Sequence, residues 1–449
     1  MARGATHVLG LDIGTQAIKA VELKFAGGEI HLLGRPVVIP TPEHAVSGGR
    51  IVDTAALGEA LTDLLSRNGF GTKKVVASVG GDTDVVVRII EVPKMTGKEL
   101  EEAIQWELER QAPFPVDQAV YDYRPIERDD TPADAQNMEV LLAVAQEEMV
   151  DAHVETIMGA KLMPIAIDVE PLAISRALVE AGGDALADQT IVNVHIGASN
   201  TAILIVRKGL LAFVRTIPTA GTALTGAIRQ NMAESETQAE QIKRLFADLT
   251  GSYAFEGGEA GYGASDATSQ FDAIGEVEDA DSVFEISDSS QTVDYGSLGL
   301  DEAATQLEVD TSQAYALPPD QPAPAAPAAG PEPPGKAPVP PEVEAVRAQV
   351  YEAIAQPLID LATEVRRSLD FYRRGHRNEE IDRIMISGGT AAIPGIAAFI
   401  GGELGLPVEV ANPFEHLELD DDEVSAAFLR DVSPMCVIAV GLAMRDMFG

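Results

Sequence analysis

Three short loops in the sequence could bind an anion, because each follows an apolar stretch and consists of small residues. They are Gly14-Thr15-Gln16, Gly197-Ala198-Ser199-Asn200 and Gly388-Gly389-Thr390. Glycine allows backbone amides to approach a phosphate closely, and the hydroxyl groups add donors. One such loop is weak evidence, since glycine often marks only a turn. Two hairpins of one design, followed by a strand, Gly-Gly-Thr and a helix, favour a phosphate site.

Asp12 lies two residues before Gly14, at the end of an apolar stretch that predicts a buried strand. A carboxylate there is costly unless it serves a cation or hydrogen-bond donors. One interpretation is a hydrated magnesium ion, which keeps its waters and needs few carboxylates. The other is a carboxylate that caps the amides of the turn. The residues alone leave both open.

The elements that must position these loops alternate between strands and helices. Apolar segments at 8–14 and 17–25 predict a hairpin, and residues 190–209 repeat this pattern. Residues 98–111 predict a helix with an apolar stripe of Leu100, Ala103, Ile104 and Leu108, and residues 346–374 predict a long helix with a break or kink at Pro357. This order predicts a mixed α/β fold.

Charge and cysteine content exclude several classes of protein. The 449 residues carry a formal net charge of −39, which disfavours nucleic-acid binding, because the chain would repel a phosphate backbone. The single cysteine, Cys436, excludes a disulfide framework. No apolar run of membrane-spanning length and no signal-peptide pattern stand out, so we expect a soluble, cytoplasmic protein. The histidines show no metal-ligand spacing.

The acidity concentrates in one stretch. Residues 251–340 contain 17 acidic residues and one basic residue, Lys336, and end in a Pro/Ala-rich tract. Such a composition cannot bury enough apolar surface to fold, so it predicts a disordered insertion. The insertion is either a plain spacer or the carrier of a short docking motif around Phe271, Ile274, Val283, Phe284 and Ile286.

The loops also carry a family resemblance. In chain order, DIGTQAIKAVEL, HIGASNTAILIV and ISGGTAAIPGI resemble the first phosphate, second phosphate and adenosine loops of the actin-like ATPases. More specifically, residues 91–123, 140–178 and 364–372 are similar to the PilM family, the actin-like cytoplasmic components of the type IV pilus assembly platform. The resemblance covers nearly all of the chain outside 251–342.

This resemblance implies an α/β fold of the actin-like ATPase type, with nucleotide between two lobes that are each built on a mixed sheet. Lobe one would carry a small inserted α/β subdomain that binds a partner, and lobe two would carry the long disordered insertion. The implied bounds are 1–89 and 164–188 for lobe one, 90–163 for the subdomain, 189–250 and 343–449 for lobe two, and 251–342 for the insertion.

The resemblance also implies a site for ATP and Mg²⁺. By position, Asp12 would hold magnesium through water. Phosphate would be bound by Gly14, Thr15, Gln16 and Lys19 from one side and by Gly197, Ala198, Ser199 and Asn200 from the other, with Gly221 and Thr222 nearby; Glu240 and Lys243 would reach ribose and adenine, and Gly388, Gly389 and Thr390 would border the base. The alternative for Glu240 and Lys243 is an exposed ion pair.

One departure from the family pattern concerns hydrolysis. His195 stands where the second phosphate loop of the actin-like ATPases has an acidic residue that helps to organise magnesium and the attacking water. A neutral imidazole orders water around a cation less well than a carboxylate does. We therefore expect nucleotide binding with slow or no hydrolysis. The alternative is that His195 is a core residue unrelated to nucleotide.

The implied function is a nucleotide-responsive scaffold. In the PilM family a short N-terminal cytoplasmic segment of PilN binds in a groove of the inserted subdomain. Trp106, Phe114 and Tyr123 are candidates to line or support that groove, and the alternative for each is an ordinary core residue. The resemblance adds the assembly and retraction motor ATPases as further partners, and membrane association through PilN. Two alternatives are an FtsA-like cell-division protein and a small-molecule kinase. The first would need a C-terminal membrane helix, whereas residues 437–449 predict a core helix.

Overall fold

A computed structural model describes residues 7–81, 83–129, 131–132, 134–186, 188–250, 340–376, 379–419, 424–445 and 447. The disordered insertion expected at 251–342 lies outside the described residues except at its end, where a helix already begins at Pro341. The strands are β1 His7–Ile13, β2 Ala17–Ala26, β3 Glu29–Leu32, β4 Val37–Pro40, β5 Val46–Ser47, β6 Arg50–Ile51, β7 Lys74–Val79, β8 Val85–Pro93, β9 Ala119–Ile126, β10 Asn137–Gln146, β11 Met163–Val169, β12 Thr190–Ile196, β13 Thr201–Arg207, β14 Leu210–Ile217, β15 Arg383–Ser387, β16 Glu409–Val410 and β17 Glu418–Leu419.

Nine α-helices are present in the described part of the chain, with short 3₁₀ helices at Val116–Gln118, Glu180–Ala185 and Gly389–Ala392. The α-helices are α1 Thr54–Asn68, α2 Lys98–Gln111, α3 Glu147–Gly159, α4 Glu170–Leu178, α5 Gly221–Met232, α6 Glu236–Phe246, α7 Pro341–Gly375, α8 Ile396–Leu404 and α9 Ala426–Ala443.

Two mixed sheets carry the predicted hairpins. In the first, the order is β11-β7-β1-β2-β3-β17, with β4 on β2; β1 is antiparallel to β2 and parallel to β7. In the second, the order is β14-β13-β12-β15-β16, with β12 antiparallel to β13 and parallel to β15. The same hydrogen bond closes both hairpins: Gly14 N donates to Ala17 O and Gly197 N donates to Asn200 O, each at 3.0 Å. The predicted internal repeat is therefore present in the backbone.

A third sheet, β8-β10-β9, is covered on one face by α2. Leu100, Ile104 and Leu108 recur at helical spacing and pack against Val140 and Leu142 of β10, as the apolar stripe of the sequence predicts. The helix ends at Gln111, before Pro113. Strand β9 forms the outer edge, and its alternation was too polar to predict a strand.

Of the break or kink predicted at Pro357, the break is absent, because α7 runs as one helix through this residue. Proline removes one intrahelical hydrogen bond, but the neighbouring Ile354, Leu358 and Leu361 are buried in the core of the second sheet. The burial of this apolar face holds the helix together across the missing bond. Tertiary packing thus overrides the local signal.

Helix α9 is the central helix of the fold. Among the described helices it alone is long and apolar enough to cross a membrane, yet 67% of its residues are buried inside the structure, as in a core helix of a soluble protein. Ser425 is its N-cap, and the side chain of this residue accepts a hydrogen bond from Phe428 N. The core helix predicted at 437–449 therefore starts earlier than expected. It packs against β1 and α4.

Two glycines permit this packing. A Cβ atom on Gly10 of β1 would lie 1.9 Å from Ala439 O, and one on Gly441 of α9 would lie 1.8 Å from Ala173 O of α4. No carbon atom fits at such distances from a backbone oxygen. The helix therefore touches its neighbours backbone to backbone.

We predict that Gly441→Ala lowers the free energy of unfolding by about 2–3 kcal/mol, because the added methyl group forces α9 away from α4. The matched control is Gly226→Ala in α5, where a Cβ meets nothing within 4 Å; it should be neutral or stabilising by up to about 1 kcal/mol. Thermal unfolding followed by circular dichroism measures both. Equal melting temperatures for the two variants would contradict the prediction.

Candidate functional site

The three glycine loops meet at one place between the first and second sheets. Thr15 Oγ1 of the first loop lies 3.0 Å from Ser199 Oγ of the second loop. Thr41 Oγ1 donates to Gly14 O at 2.7 Å and fixes the first hairpin end. The two loops that the sequence relates by repetition thus face each other.

The carbonyl of Gly197 joins the remaining segments of the site. It accepts hydrogen bonds from Gly221 N and from Thr390 Oγ1, both at 3.1 Å. Thr222 N donates to Ala198 O at 2.8 Å. The second loop, the start of α5 and the third loop therefore form one connected wall.

The carboxylate of Asp12 is buried and forms an ion pair with Lys19, with Nζ and Oδ2 3.0 Å apart. The two residues stand opposite each other in the β1–β2 hairpin. The hairpin register therefore brings the predicted magnesium carboxylate and the predicted phosphate-binding lysine together. Asp12 therefore has a cationic partner in the hairpin itself, and both of its predicted roles, at magnesium and at the turn amides, stay predictions.

Glu240 and Lys243 form a second ion pair, on one face of α6. Oε2 and Nζ are 2.6 Å apart, and Thr225 Oγ1 bonds to both side chains, at 2.6 and 2.9 Å. The side chains are only 14% and 11% exposed, so the alternative of an exposed ion pair is not what the structure has. Burial lowers the pKa of Lys243; burial alone would raise the pKa of Glu240, but the Lys243 charge and the hydrogen bonds leave it lowered.

Arg244 joins this pair to the first loop. Its Nε lies 3.0 Å from Glu240 Oε1, and its Nη2 donates to Gln16 Oε1 at 3.2 Å. The charged residues of α6 therefore reach across to the hairpin of the first sheet.

Two adjoining cavities open between these walls. The first, of about 280 Å³, has an apolar side formed by Ala247, Ile393, Pro394 and Met435 and a polar side formed by the α6 residues. The second, of about 100 Å³, is lined by the two hairpin ends with Asp12 and Lys19. Thr222 lines neither cavity, although its backbone bonds to the second loop. The other fifteen predicted nucleotide residues line one cavity or both: Asp12, Gly14, Thr15, Gln16, Lys19, Gly197, Ala198, Ser199, Asn200, Gly221, Glu240, Lys243, Gly388, Gly389 and Thr390.

Glu170 is a residue of the site that the sequence did not predict. This half-buried carboxyl group is at the start of α4, lines the smaller cavity and packs so closely on Gly80 that a Cβ there would lie 2.0 Å from Glu170 Cδ. Burial, and next the negative charge of Asp12, raise the pKa of Glu170 to about 7. The available signal was Glu170-Pro171 at the end of an apolar stretch, where a carboxylate is costly without a role.

His195 is buried and lines the same small cavity. Its Nδ1 lies 3.0 Å from Ser387 Oγ of the neighbouring strand β15. Burial lowers the pKa of His195 to about 4, although the charge of Asp12 acts in the opposite direction. The residue is therefore both a core residue and a wall of the candidate site, and its imidazole is neutral near pH 7.

The predicted partner residues are divided between surface and core. Trp106 is 74% exposed, whereas Phe114 and Tyr123 are partly buried against the α2 cluster. The role of these three residues in a partner groove therefore stays a prediction.

A different groove, of about 610 Å³, lies between β8 and β14. Both are edge strands in the described sheets. Phe213 and Phe371 pack at one side with ring centroids 6.0 Å apart, and Phe371 is 67% exposed. Gly80 and Glu170 line this groove as well as the small cavity.

Comparisons with known proteins place the chain in context. The sequence profile of the family described as type IV pilus assembly protein PilM matches residues 10–256 and 347–447. A solved PilM-PilN type IV pilus biogenesis complex is similar, with 24% identity and a TM-score of 0.69 over 98% of this chain and 99% of that chain. This likeness and the profile confirm the α/β actin-like fold class. The bounds given above for lobes and subdomain remain predictions.

Other solved structures are more distant. The ethanolamine utilization protein EutJ from Carboxydothermus hydrogenoformans is 12% identical, with a TM-score of 0.46 over 98% of this chain and 92% of that one. MreB5 of Spiroplasma citri bound to ADP is 14% identical, with a TM-score of 0.41 over 100% and 99%.

We predict opposite pH dependences of stability for two titratable groups of the small cavity, His195 and Glu170. The pKa of His195 falls from 6.5 to about 4 on folding, so its contribution is lost as pH falls from 6.5 towards 4. The pKa of Glu170 rises from 4.5 to about 7, so its contribution is lost as pH rises from 4.5 towards 7. As pH rises from 5 to 7.5, the free energy of unfolding of Glu170→Gln should increase by about 1–2 kcal/mol relative to that of wild type. As pH falls from 6.5 towards 4, the free energy of unfolding of His195→Asn should increase relative to that of wild type. Urea unfolding across this range measures both, and parallel curves for variants and wild type would contradict it.

Proposed function

This chain belongs to the type IV pilus assembly protein PilM family, and we propose that it serves pilus assembly as a cytoplasmic ATP-binding scaffold. The family decides against an FtsA-like cell-division protein and a small-molecule kinase. The proposal has two parts, a nucleotide site between the first two sheets and a groove for an extended segment of PilN. The division into lobes, subdomain and insertion by the bounds given above is part of it.

The observation that carries the nucleotide site is the meeting of three glycine loops on two adjoining cavities. The larger cavity offers an apolar side for a purine and the Glu240–Lys243 pair for ribose hydroxyls. The smaller one offers loop amides, two hydroxyl groups and Lys19 for phosphates. Base, sugar and phosphates would thus lie in the order in which a nucleotide joins them.

The residues of the small cavity fit a hydrated magnesium ion. Among the residues that the structure describes, no group of three His, Cys, Asp or Glu side chains could hold a metal directly. A hydrated ion needs fewer carboxylates, and Asp12 supplies one, buried at the phosphate end. When bound, magnesium would neutralise phosphate charge. Asp12 would then accept hydrogen bonds from its waters.

The residues around the phosphates favour binding over fast hydrolysis. Glu170 could accept a proton from water only when ionised, and its pKa of about 7 leaves it largely protonated in mildly acidic solution and ionised in about half of the molecules near pH 7. His195 is neutral there and provides no second negative charge. Slow or absent turnover is consistent with a scaffold whose nucleotide sets a conformation.

The groove between β8 and β14 fits an extended peptide. An edge strand offers unpaired backbone groups with which a partner strand can bond, and apolar pockets add specificity. The lining combines apolar side chains, among them Val85, Val87, Ala212, Phe213 and Phe371, with the charged side chains of Arg88, Glu170 and Arg215. The solved PilM-PilN complex supports PilN as the partner. The occupant of the groove would be the N-terminal cytoplasmic segment that the family resemblance implies, and membrane association would be indirect through PilN.

The two parts of the proposal touch each other at Glu170 and Gly80, which line both the small cavity and the groove. Phosphates beside Glu170 change the electrostatic environment of its carboxyl group, and an occupant of the groove changes its solvation. We expect nucleotide and peptide to alter each other's affinity by a coupling free energy of about 1–3 kcal/mol. A scaffold of this kind would signal its nucleotide state to the pilus motor ATPases.

We predict that Gly389→Leu abolishes ATP binding while the protein stays folded. A Cβ at Gly389 meets nothing within 4 Å, but the residue lines both cavities, so a leucine there would fill the space for nucleotide. Titration calorimetry with ATP, with and without Mg²⁺, should show binding to wild type and at least a hundred-fold loss in the variant. The control Gly402→Leu in α8 also meets nothing within 4 Å and should bind as wild type. Unchanged ATP binding by a folded Gly389→Leu protein would reject this site.

We predict that Phe371→Ala weakens binding of a synthetic PilN N-terminal peptide by about ten-fold or more, since exposed aromatic anchors dominate such contacts. Its side chain is 67% exposed, so the loss of stability should be small. The matched control is Trp106→Ala, which removes another large exposed aromatic side chain, outside the groove. Fluorescence anisotropy of a labelled peptide measures both. A loss in Trp106→Ala alone would place the peptide on α2 and contradict the β8–β14 groove.

A further inference from the structure

A chain of hydrogen bonds with a fixed direction runs from the core of the second sheet to His195. Asn193 Nδ2 donates to Met385 O at 3.3 Å, and a backbone carbonyl can only accept. Asn193 Oδ1 is therefore left as an acceptor, and Ser387 Oγ donates its proton to it at 3.0 Å. Because that hydroxyl proton is used, Ser387 Oγ can only accept from His195 Nδ1, also at 3.0 Å.

This direction fixes the tautomer of the imidazole. The ring carries its proton on Nδ1, and Nε2 keeps a lone pair. All four groups lie on the adjacent strands β12 and β15, and His195, Asn193 and Ser387 are buried. With Nδ1 bonded to Ser387, Nε2 is the nitrogen left for the small cavity that His195 lines.

The charged and titratable groups around that cavity come from four elements. Asp12 and Lys19 of β1 and β2 form an ion pair, Glu170 is on α4, and His153 is on α3. His153 Nδ1 donates to Met149 O at 2.8 Å, so this imidazole is held within its own helix. In the part of the chain that the structure describes, none of these groups donates a hydrogen bond to Nε2 of His195. An acceptor in a buried polar cavity requires a donor, and water is the donor small enough to fit.

We propose that His195 Nε2 accepts a hydrogen bond from a water of the magnesium ion that accompanies the nucleotide phosphates, which makes His195 a positioning residue. The inference rests on the nucleotide site proposed above and deepens it. A carboxylate in this place would add a negative charge and could accept from several waters. The locked imidazole adds one acceptor and no charge, so it orients a water without increasing the electrostatic attraction for the cation.

The tautomer can be measured without any nucleotide. We expect long-range ¹H–¹⁵N spectra of the full-length protein with ¹⁵N-labelled histidine to show His195 protonated at Nδ1 alone near pH 7. The His195→Asn protein assigns the signal by its loss. Ser387→Ala removes the acceptor for Nδ1–H and should allow the other tautomer, whereas Ser387→Thr keeps the hydroxyl and should restore the first. A proton on Nε2 in wild type would overturn the inference.

The affinity for ATP, measured with and without Mg²⁺, distinguishes a positioning role of His195 from a merely structural one. In His195→Asn the side-chain amide takes the place of Nδ1–H and can still donate to Ser387, but nothing replaces Nε2. We expect metal-free ATP to bind as in wild type, while the gain in ATP affinity on adding Mg²⁺ shrinks about five-fold, as for the loss of one hydrogen bond. His195→Asp should instead enlarge that gain, because it adds a negative charge beside the cation. Ser387→Ala gives a second test should the asparagine variant not fold.

The outcomes distinguish this inference from the function on which it rests. If wild type binds no ATP with or without Mg²⁺, the nucleotide site fails and this inference fails with it. If wild type binds ATP and both His195→Asn and Ser387→Ala show the wild-type gain from Mg²⁺, the site stands and only the role of His195 is overturned.

Discussion

The packing of α9 is the constraint on which the rest of the structure depends. This helix contacts two parts of the fold at distances that admit no side-chain atom, β1 through Gly10 and α4 through Gly441. It also bonds to the third glycine loop, where Gly388 N donates to Pro434 O at 2.7 Å. Gly388 itself has a φ of 92° and would place a Cβ 2.3 Å from Ile196 O. The loops of the candidate site are thus positioned by backbone contacts, which cannot change rotamer, and the geometry of the cavities follows from them.

The electrostatics of the site follow from the same framework. The structure places its cations next to carboxylates in advance: Lys19 with Asp12, and Lys243 and Arg244 with Glu240. Each positive charge is therefore positioned by an ion pair before an anion arrives, so ordering these side chains adds little to the cost of binding. However, these ion pairs leave the site with little net positive charge to attract phosphates. Because the whole chain also carries a net charge of −39, a cation that accompanies the phosphates becomes more important.

The sequence allowed the glycine loops, both hairpins and the α2 stripe to be predicted, because each depends on residues close together in the chain. Glu170 could not be assigned in this way, since its place beside Asp12 results from the parallel order of β11, β7 and β1. The β8–β14 groove was missed for the same reason: its walls are edge strands of different sheets. The break expected at Pro357 is absent because the burial of Ile354 and Leu358 outweighs the local propensity of proline to interrupt a helix. The role of each site residue and the bounds of the lobes remain predictions.

The wall shared by the small cavity and the groove also affects how the protein can evolve. Gly80 and Glu170 belong to both spaces, whereas Gly389 belongs to the cavities and Phe371 to the groove alone. A substitution of Gly80 or Glu170 is therefore pleiotropic, because it affects both nucleotide binding and partner binding. A substitution of Gly389 or Phe371 affects only one of the two. Lineages of this protein could therefore alter partner choice or nucleotide use independently at the periphery, yet drift at the shared wall would be limited by both demands at once.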